Sequence, residues 1–346
     1  MKVLYILSTC IPVKGARRSA IYDFQRMTYY YISNDLYSII SKARMLNVES
    51  LKDRHNEYNG IVIDEYVDFL LKNELAVSVD QSFRPNLPKI KHEWDYPAHI
   101  TNTVLELSDN NHLNSLLPMF MNALFCKHIY IVIKNKREFN SIEKFLHLWD
   151  SEPIRSIELL IDFYVENYVL NNLCVKFPRL FRVVCASSKG SNSISKNGKS
   201  IKHTQRSLQY LMNENHVSKN NFVISMDLYQ ESQYFNTYFN KKVFINCKGE
   251  ISNHLLSKKI IGNILNEDIS VLISKIKDDN FTRFWKVKKD LIEICCDCEH
   301  RYMCIDRREP LYDSKKNKWY HETKCGYNPY TAEWEEWSTN PLKQSH

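Results

Sequence analysis

Cysteine placement is the strongest constraint in this chain. Cys295 and Cys298 are separated by two residues, Cys304 follows after five more, and Cys325 lies further on. A two-residue gap lets one tight turn present two thiolates to one metal centre; the five-residue gap brings the chain back from the far side, and a distant fourth closes the shell. If Cys295 and Cys298 point inward, Cys296 points elsewhere. The competing reading is buried thiols or disulfides. Nothing else in the chain reads as secreted, so a reducing, cytoplasmic setting and a metal site are expected.

The remaining totals narrow the class. At 346 residues two or three domains are expected, and 44% hydrophobic residues suffice for globular cores. The net charge of +7 is mild and spread along the chain, so no nucleic-acid partner is expected. No apolar run reaches the length of a membrane span, and Val3, Tyr5 and Leu7 read as a strand rather than a signal peptide. Only seven glycines are present, none closer together than Gly190 and Gly198, which excludes a glycine-rich phosphate loop.

Along the chain, Ser19 to Phe24 and Thr28 to Ile32 read as a hairpin. Asn34 is expected to cap a helix carrying Leu36, Ile39, Ile40 and Ala43. A second helix, marked by Val48, Leu51, His55 and Tyr58, is expected to end at Gly60, and a third carries Ile63, Tyr66, Val67 and Leu70. Ala76 to Val79 closes the unit. Residues 83–98 read as a linker with Pro85, Pro88 and Pro97. Beyond it strands and helices alternate: Thr103 to Leu107, His128 to Ile133, Ile157 to Ile161 and Phe181 to Ala186 as strands, with helices at Leu113 to Leu124, Ile142 to Trp149 and Tyr164 to Leu173. This pattern predicts an α/β fold with a parallel sheet, part of a (β/α) barrel. Ser187 to Ser200 is expected to be a flexible loop, with strands resuming at Phe222 to Met226 and Val243 to Asn246. The tail is aromatic, with Trp319, Tyr320, Tyr327, Tyr330, Trp334 and Trp337.

The cysteine set, position by position, resembles the SPASM domain of radical S-adenosylmethionine peptide-modifying enzymes. There, such a set ligates an auxiliary 4Fe-4S cluster. The position equivalent to a ligand of that family's other auxiliary cluster is His254, so only one cluster is implied; zinc is the alternative occupant. The front of the chain resembles PqqD-like winged-helix domains, which capture a leader peptide as an added strand. That resemblance implies a peptide groove lined by Tyr29, Tyr31, Val62, Tyr66 and Phe69. The whole, including Cys10 to Ala16, Glu231-Ser232-Gln233, Asn236 to Lys242 and Cys298 to Cys304, resembles the SPASM-domain peptide maturases of grasp-with-spasm systems.

The implied layout is a PqqD-like domain at 1–82, a linker at 83–98, a radical-SAM-like partial barrel at 99–240 and a SPASM domain at 241–346. The implied partners are a ribosomally made precursor peptide and an ATP-grasp ligase. A radical enzyme needs three cysteines after the first barrel strand, yet Ser108 to Leu113 contains none, so S-adenosylmethionine cleavage is not expected. The function expected is that of a leader-binding scaffold for the ligase. The alternative is an enzyme acting on the precursor, through a redox-active cluster or through carboxylates such as Glu106, Glu158, Asp162 and Asp227.

Overall fold

A computed structural model describes residues 2–53, 57–82, 90, 93–212, 217–255, 257 and 259–334, the side chains of 57–59 and 220 excepted. His55, the Tyr58 side chain, Pro85, Pro88 and Trp337 lie outside the described residues. The chain divides into two compact units. The first comprises Met1–Trp94, His216–Thr237 and Val287–His346; the second comprises Asp95–Asn215 and Tyr238–Lys286. The segments 99–240 and 241–346 therefore each contribute to both units.

The first unit begins with β1 (Lys2–Ile6), β2 (Cys10–Val13), β3 (Ser19–Asp23), β4 (Thr28–Ile32), α1 (Asn34–Ile40), β5 (Met45–Leu46), α2 (Val48–Asp53), α3 (Glu57–Lys72) and β6 (Ala76–Asp80). Strands β2, β3 and β4 form an antiparallel meander; β5, β1 and β6 form a separate sheet. The cap of α1 is Ser33, not Asn34: its hydroxyl accepts from the Leu36 N–H at 3.1 Å. Asn34 instead accepts from Ser19 and donates to the Ala16 carbonyl. Gly60 does not end a helix but lies inside α3. A mid-helix glycine costs about 1 kcal/mol. The face carrying Tyr66, Val67 and Leu70 outweighs that by packing in one cluster with Leu4, Ile6, Leu36 and Ile40.

The second unit begins with β7 (Asn102–Glu106), α4 (Asn111–Ala123), β8 (His128–Ile133), α5 (Lys136–Asn140), α6 (Ile142–His147), β9 (Ser156–Ile161), α7 (Asn167–Lys176), β10 (Leu180–Cys185), β11 (Asn192–Lys196), β12 (Lys199–His203) and α8 (Leu208–Met212). The expected strand at Phe222 to Met226 is replaced by a single bridge, Phe222 to Cys304, and by α9 (Met226–Ser232), both in the first unit. The second unit resumes with β13 (Lys242–Ile245), β14 (Glu250–Ser252), β15 (Gly262–Asn263), α10 (Ile269–Lys277) and α11 (Asp279–Thr282).

Its nine strands run in the order β11-β12-β10-β9-β8-β7-β13-β14-β15. The six from β12 to β13 are parallel; β11, β14 and β15 add antiparallel edges. This is a mixed α/β sheet, and among the described residues its two ends are not joined. One face buries Leu105, Ile131, Leu159 and Val183 among Leu117, Phe145 and Leu170 of the helices. On the other face Val132, Leu160 and Val184 pack with Leu208 of α8. Strands apolar on both faces give the near-continuous runs that make them readable in the sequence. Cys126, Cys174 and Cys185 are buried in this core. The stretch at Ser187 to Ser200 is not a loop throughout: β11 and β12 form an antiparallel ribbon there. Among the described residues, no helix is long and apolar enough to cross a membrane.

Candidate metal centre

The first unit closes with β16 (Leu311–Asp313), β17 (Lys318–Tyr320), β18 (Tyr327–Asn328) and β19 (Glu333–Trp334). Before them, a 3-10 turn at Cys295–Asp297 follows Ile294, which has a positive φ of 68°. A β-branched residue rarely adopts that conformation. The turn is pinned by backbone bonds from Glu293 to Trp319 (2.8 Å) and from Cys298 to Cys295 (3.1 Å). The bridge at Phe222 anchors Cys304, with Val223 donating to Met303 at 2.8 Å and Ile305 to Asn221 at 2.9 Å.

Cys295, Cys298, Cys304 and Cys325 line one cavity of about 40 Å³, together with Val217, Phe222, Ile294 and Trp334. Cys296 does not line it. Two of the sulfurs accept backbone N–H bonds from two residues ahead: Cys298 from His300 and Cys325 from Tyr327, both at 3.4 Å. Such bonds favour a thiolate over a thiol.

Around the cavity sits a buried ionic set that no spacing rule indicated. Asp306 Oδ2 accepts from Lys289 Nζ at 2.7 Å and Arg308 Nη2 at 2.6 Å, Oδ1 accepts from Arg308 Nε at 2.9 Å, and His321 Nε2 lies 3.1 Å from Oδ2. All four side chains are at most 5% exposed. With both its oxygens engaged, Asp306 orients its neighbours rather than ligating, although it, Cys295 and His321 lie close enough to share a cation. Lys289, Arg308 and Asp306 sum to one positive charge, enough to balance one thiolate. The thiols follow suit. Burial opposes ionisation of Cys295, yet Lys289, His321 and Arg308 hold it below the usual thiol range. Burial pushes Cys298, Cys304 and Cys325 up. A cation held in the cavity would supply the charge those three lack. The cysteine and histidine groups here can therefore hold a metal.

Spacing within the site is informative. Among the described residues, the groups whose ligand atoms all lie within 4.8 Å of one another are Cys295–Asp306–His321 and Cys298–Glu299–His300. Neither contains two of the four thiols. The four line one cavity without closing into a tight tetrahedron.

The front of the chain is fastened to this loop. Tyr22 donates to the Glu299 carbonyl at 2.6 Å, and Ala16 N–H donates to the Asp297 carbonyl at 2.8 Å. His300 reaches from Cys298 to Tyr31, its Nε2 2.9 Å from the Tyr31 hydroxyl. Sequence reasoning missed Arg18, Lys289 and His321, whose partners are distant in the chain, and with them Asp306. The close pairing of Asp306 with Arg308 was the one local signal.

The residues expected to line a peptide groove divide. Tyr29 and Tyr31, on one face of β4, stack edge-on against His300. Tyr30, on the opposite face, meets Phe69 at 6.3 Å between centroids. Val62 and Tyr66 line a cleft of about 810 Å³ with Ile39, Met45 and Asn47. Tyr66 also bonds Ser33 at 2.9 Å. Among the described residues, no strand pairs with the outer edge of β4.

Three of the four candidate catalytic carboxylates have a partner. Glu106 pairs with Lys134 at 2.6 Å, and Asp162 accepts from Ser187 at 3.1 Å. Burial raises Glu158, which faces Arg182 at 3.6 Å. Asp227 belongs to the other unit. Glu106 and Glu158 are offset by two strands and two register positions, roughly 12 Å from strand spacings. That is too far for paired acid–base work.

No family model matches the chain, and no curated protein matches it. Among solved structures, SuiB of Streptococcus suis aligns over 87% of this chain and 94% of its own, with 10% identity and a TM-score of 0.27.

Proposed function

We propose that this protein is an accessory factor in the maturation of a ribosomally made peptide, holding the precursor leader for an ATP-grasp ligase and performing no radical S-adenosylmethionine chemistry. The observation that supports it most is the convergence of four thiols on one cavity. Four cysteines line one cavity, so a centre held by all four would offer no coordination position to a substrate. In this reading Cys295, Cys298, Cys304 and Cys325 hold a 4Fe-4S cluster. Tetrahedral zinc at Zn–S distances of about 2.3 Å needs sulfurs roughly 3.8 Å apart. No three of these sulfurs lie mutually within 4.8 Å, which favours the wider cluster cage. Such a cluster, when bound, supplies structural cross-linking or electron transfer. Lys289 and Arg308 compensate its charge, and Asp306 fixes both.

The leader is captured by the front of the chain. The open edge of β4 offers main-chain pairing, and the cleft lined by Val62 and Tyr66 offers side-chain pockets. The tests use the full chain, because Ile11, Val13 and Tyr22 pack with Met303 and Tyr229, and a front fragment would expose them. Anaerobic iron, sulfide and zinc analysis should give a 4Fe-4S stoichiometry. One zinc per chain replaces the cluster assignment, and no metal at all rejects the site. Titration with a precursor leader should show binding that Tyr66→Ala weakens; absence of binding rejects the scaffold reading.

A further inference from the structure

The far edge of the nine-stranded sheet, opposite in strand order to β15, is β11. All five of its residues are exposed. Its hairpin turns at Asn197 and Gly198, with φ of 52° and 74°, the signature of a type I′ turn. In such a two-residue hairpin the pair flanking the turn is hydrogen-bonded, here Lys196 with Lys199. Alternation then directs the Asn192, Ile194 and Lys196 backbone groups to β12. Those of Ser193 and Ser195 face outward, and none of them has a partner among the described residues. The ribbon is anchored, since Lys199 Nζ donates to the Cys174 and Phe177 carbonyls at the end of α7.

Charge singles out this edge. From Phe181 to Met212 the chain carries Arg182, Lys189, Lys196, Lys199, Lys202 and Arg206 and no acidic residue. Arg182 is engaged by Glu158 and Lys199 by carbonyls, while Lys189, Lys196, Lys202 and Arg206 are exposed, Arg206 lying over Tyr210. Lysine on an edge strand also blocks aggregation. One or two suffice for that, and an acid-free run over 32 residues is not needed in a chain with 47 basic and 40 acidic residues.

We propose that β11 is a docking edge for an extended acidic peptide segment, which adds as a further strand. Main-chain pairing to Ser193 and Ser195 supplies the geometry, and Lys189, Lys196 and Lys202 select carboxylates. This site is separate from the leader-binding reading and does not rest on it. Nucleic acid also answers to positive charge. It has no use for a row of outward amide and carbonyl groups, and β11 itself carries no aromatic residue.

The probes are a labelled alternating Glu–Thr decapeptide, its Lys–Thr counterpart and a single-stranded oligothymidylate, each titrated against the full chain at low and high salt. The Glu–Thr peptide should bind, weaken with salt and slow amide exchange at residues 192–196. Ser195→Pro removes one outward N–H and leaves the ladder to β12 intact; it should weaken binding by about tenfold. Ser193→Pro is the second edge variant. The triple variant Lys189→Glu, Lys196→Glu, Lys202→Glu should abolish binding while melting as the parent does. Undiminished binding by a folded proline variant, no binding of the acidic peptide, or tighter binding of the oligonucleotide overturns the proposal.

Discussion

Arg18 and Glu299, 281 positions apart, meet as an ion pair: Arg18 Nε donates to Glu299 Oε1 at 2.8 Å. Glu299 is fully buried, its Oε1 also accepts from Tyr327, and its Oε2 has no partner among the described residues. Arg18 additionally stacks on Tyr31, 3.4 Å from the ring centroid. Arg18→Met should therefore destabilise the first unit by about 2–4 kcal/mol, because it strands a buried charge. Adding Glu299→Gln should restore more than half of the loss. Denaturant midpoints of the four members of this cycle measure it; additive losses would show that the pair is not coupled.

Gly15 is needed because two chain segments pass too closely for a side chain. A Cβ there would meet the Arg18 carbonyl at 2.3 Å and Glu299 Cβ at 2.9 Å. Gly15→Ala should cost about 1–3 kcal/mol through forced backbone displacement. Metal content should fall with it, since the displaced loop carries Cys298. A variant with parental melting temperature and metal content would contradict this packing.

The cysteines should separate into two classes. Cys304→Ala should lose the metal and lower the melting temperature, as should Cys298→Ala. Cys296→Ala should keep both, because Cys296 does not line the cavity. Metal analysis of the three purified variants distinguishes them.

Acid should destabilise the first unit through His300. Burial pushes this imidazole down to about 4, against about 6.5 when exposed. Between those values the unfolded chain binds a proton that the folded chain refuses. The contribution is complete above about pH 6.5 and is lost as the pH falls toward 4, at most about 3 kcal/mol. His300→Gln should flatten the stability profile across that window while leaving it unchanged in slope above pH 7.

Some of this was legible in the sequence. The parallel strands announce themselves because both faces are apolar, as Ile131 and Val132 show. The thiol set announces itself by spacing. The ribbon of β11 and β12 does not, since its Ser, Asn and Lys residues bury little and read as loop. Gly60 misled because local propensity yields to the packing of α3. Tyr29, Tyr31 and Phe69 read as one groove, but strand alternation sends the first two toward His300 and leaves Phe69 against Tyr30. Lys289, Asp306 and Arg308 form their ionic set only once residues 17 apart have been brought together by the fold.

The stitching of Ile11, Val13, Ala20 and Tyr22 to Met303 carries a cost during synthesis. At about 5–20 residues per second, the ribosome delivers the second half of that hydrophobic cluster roughly 15–60 s after the first. Throughout that interval the early meander has a bare apolar face and an open strand edge, and the contacts that will cover it span most of the chain. Chaperone occupancy on nascent chains should accordingly peak before residue 303 emerges and fall once the cysteine loop has been made.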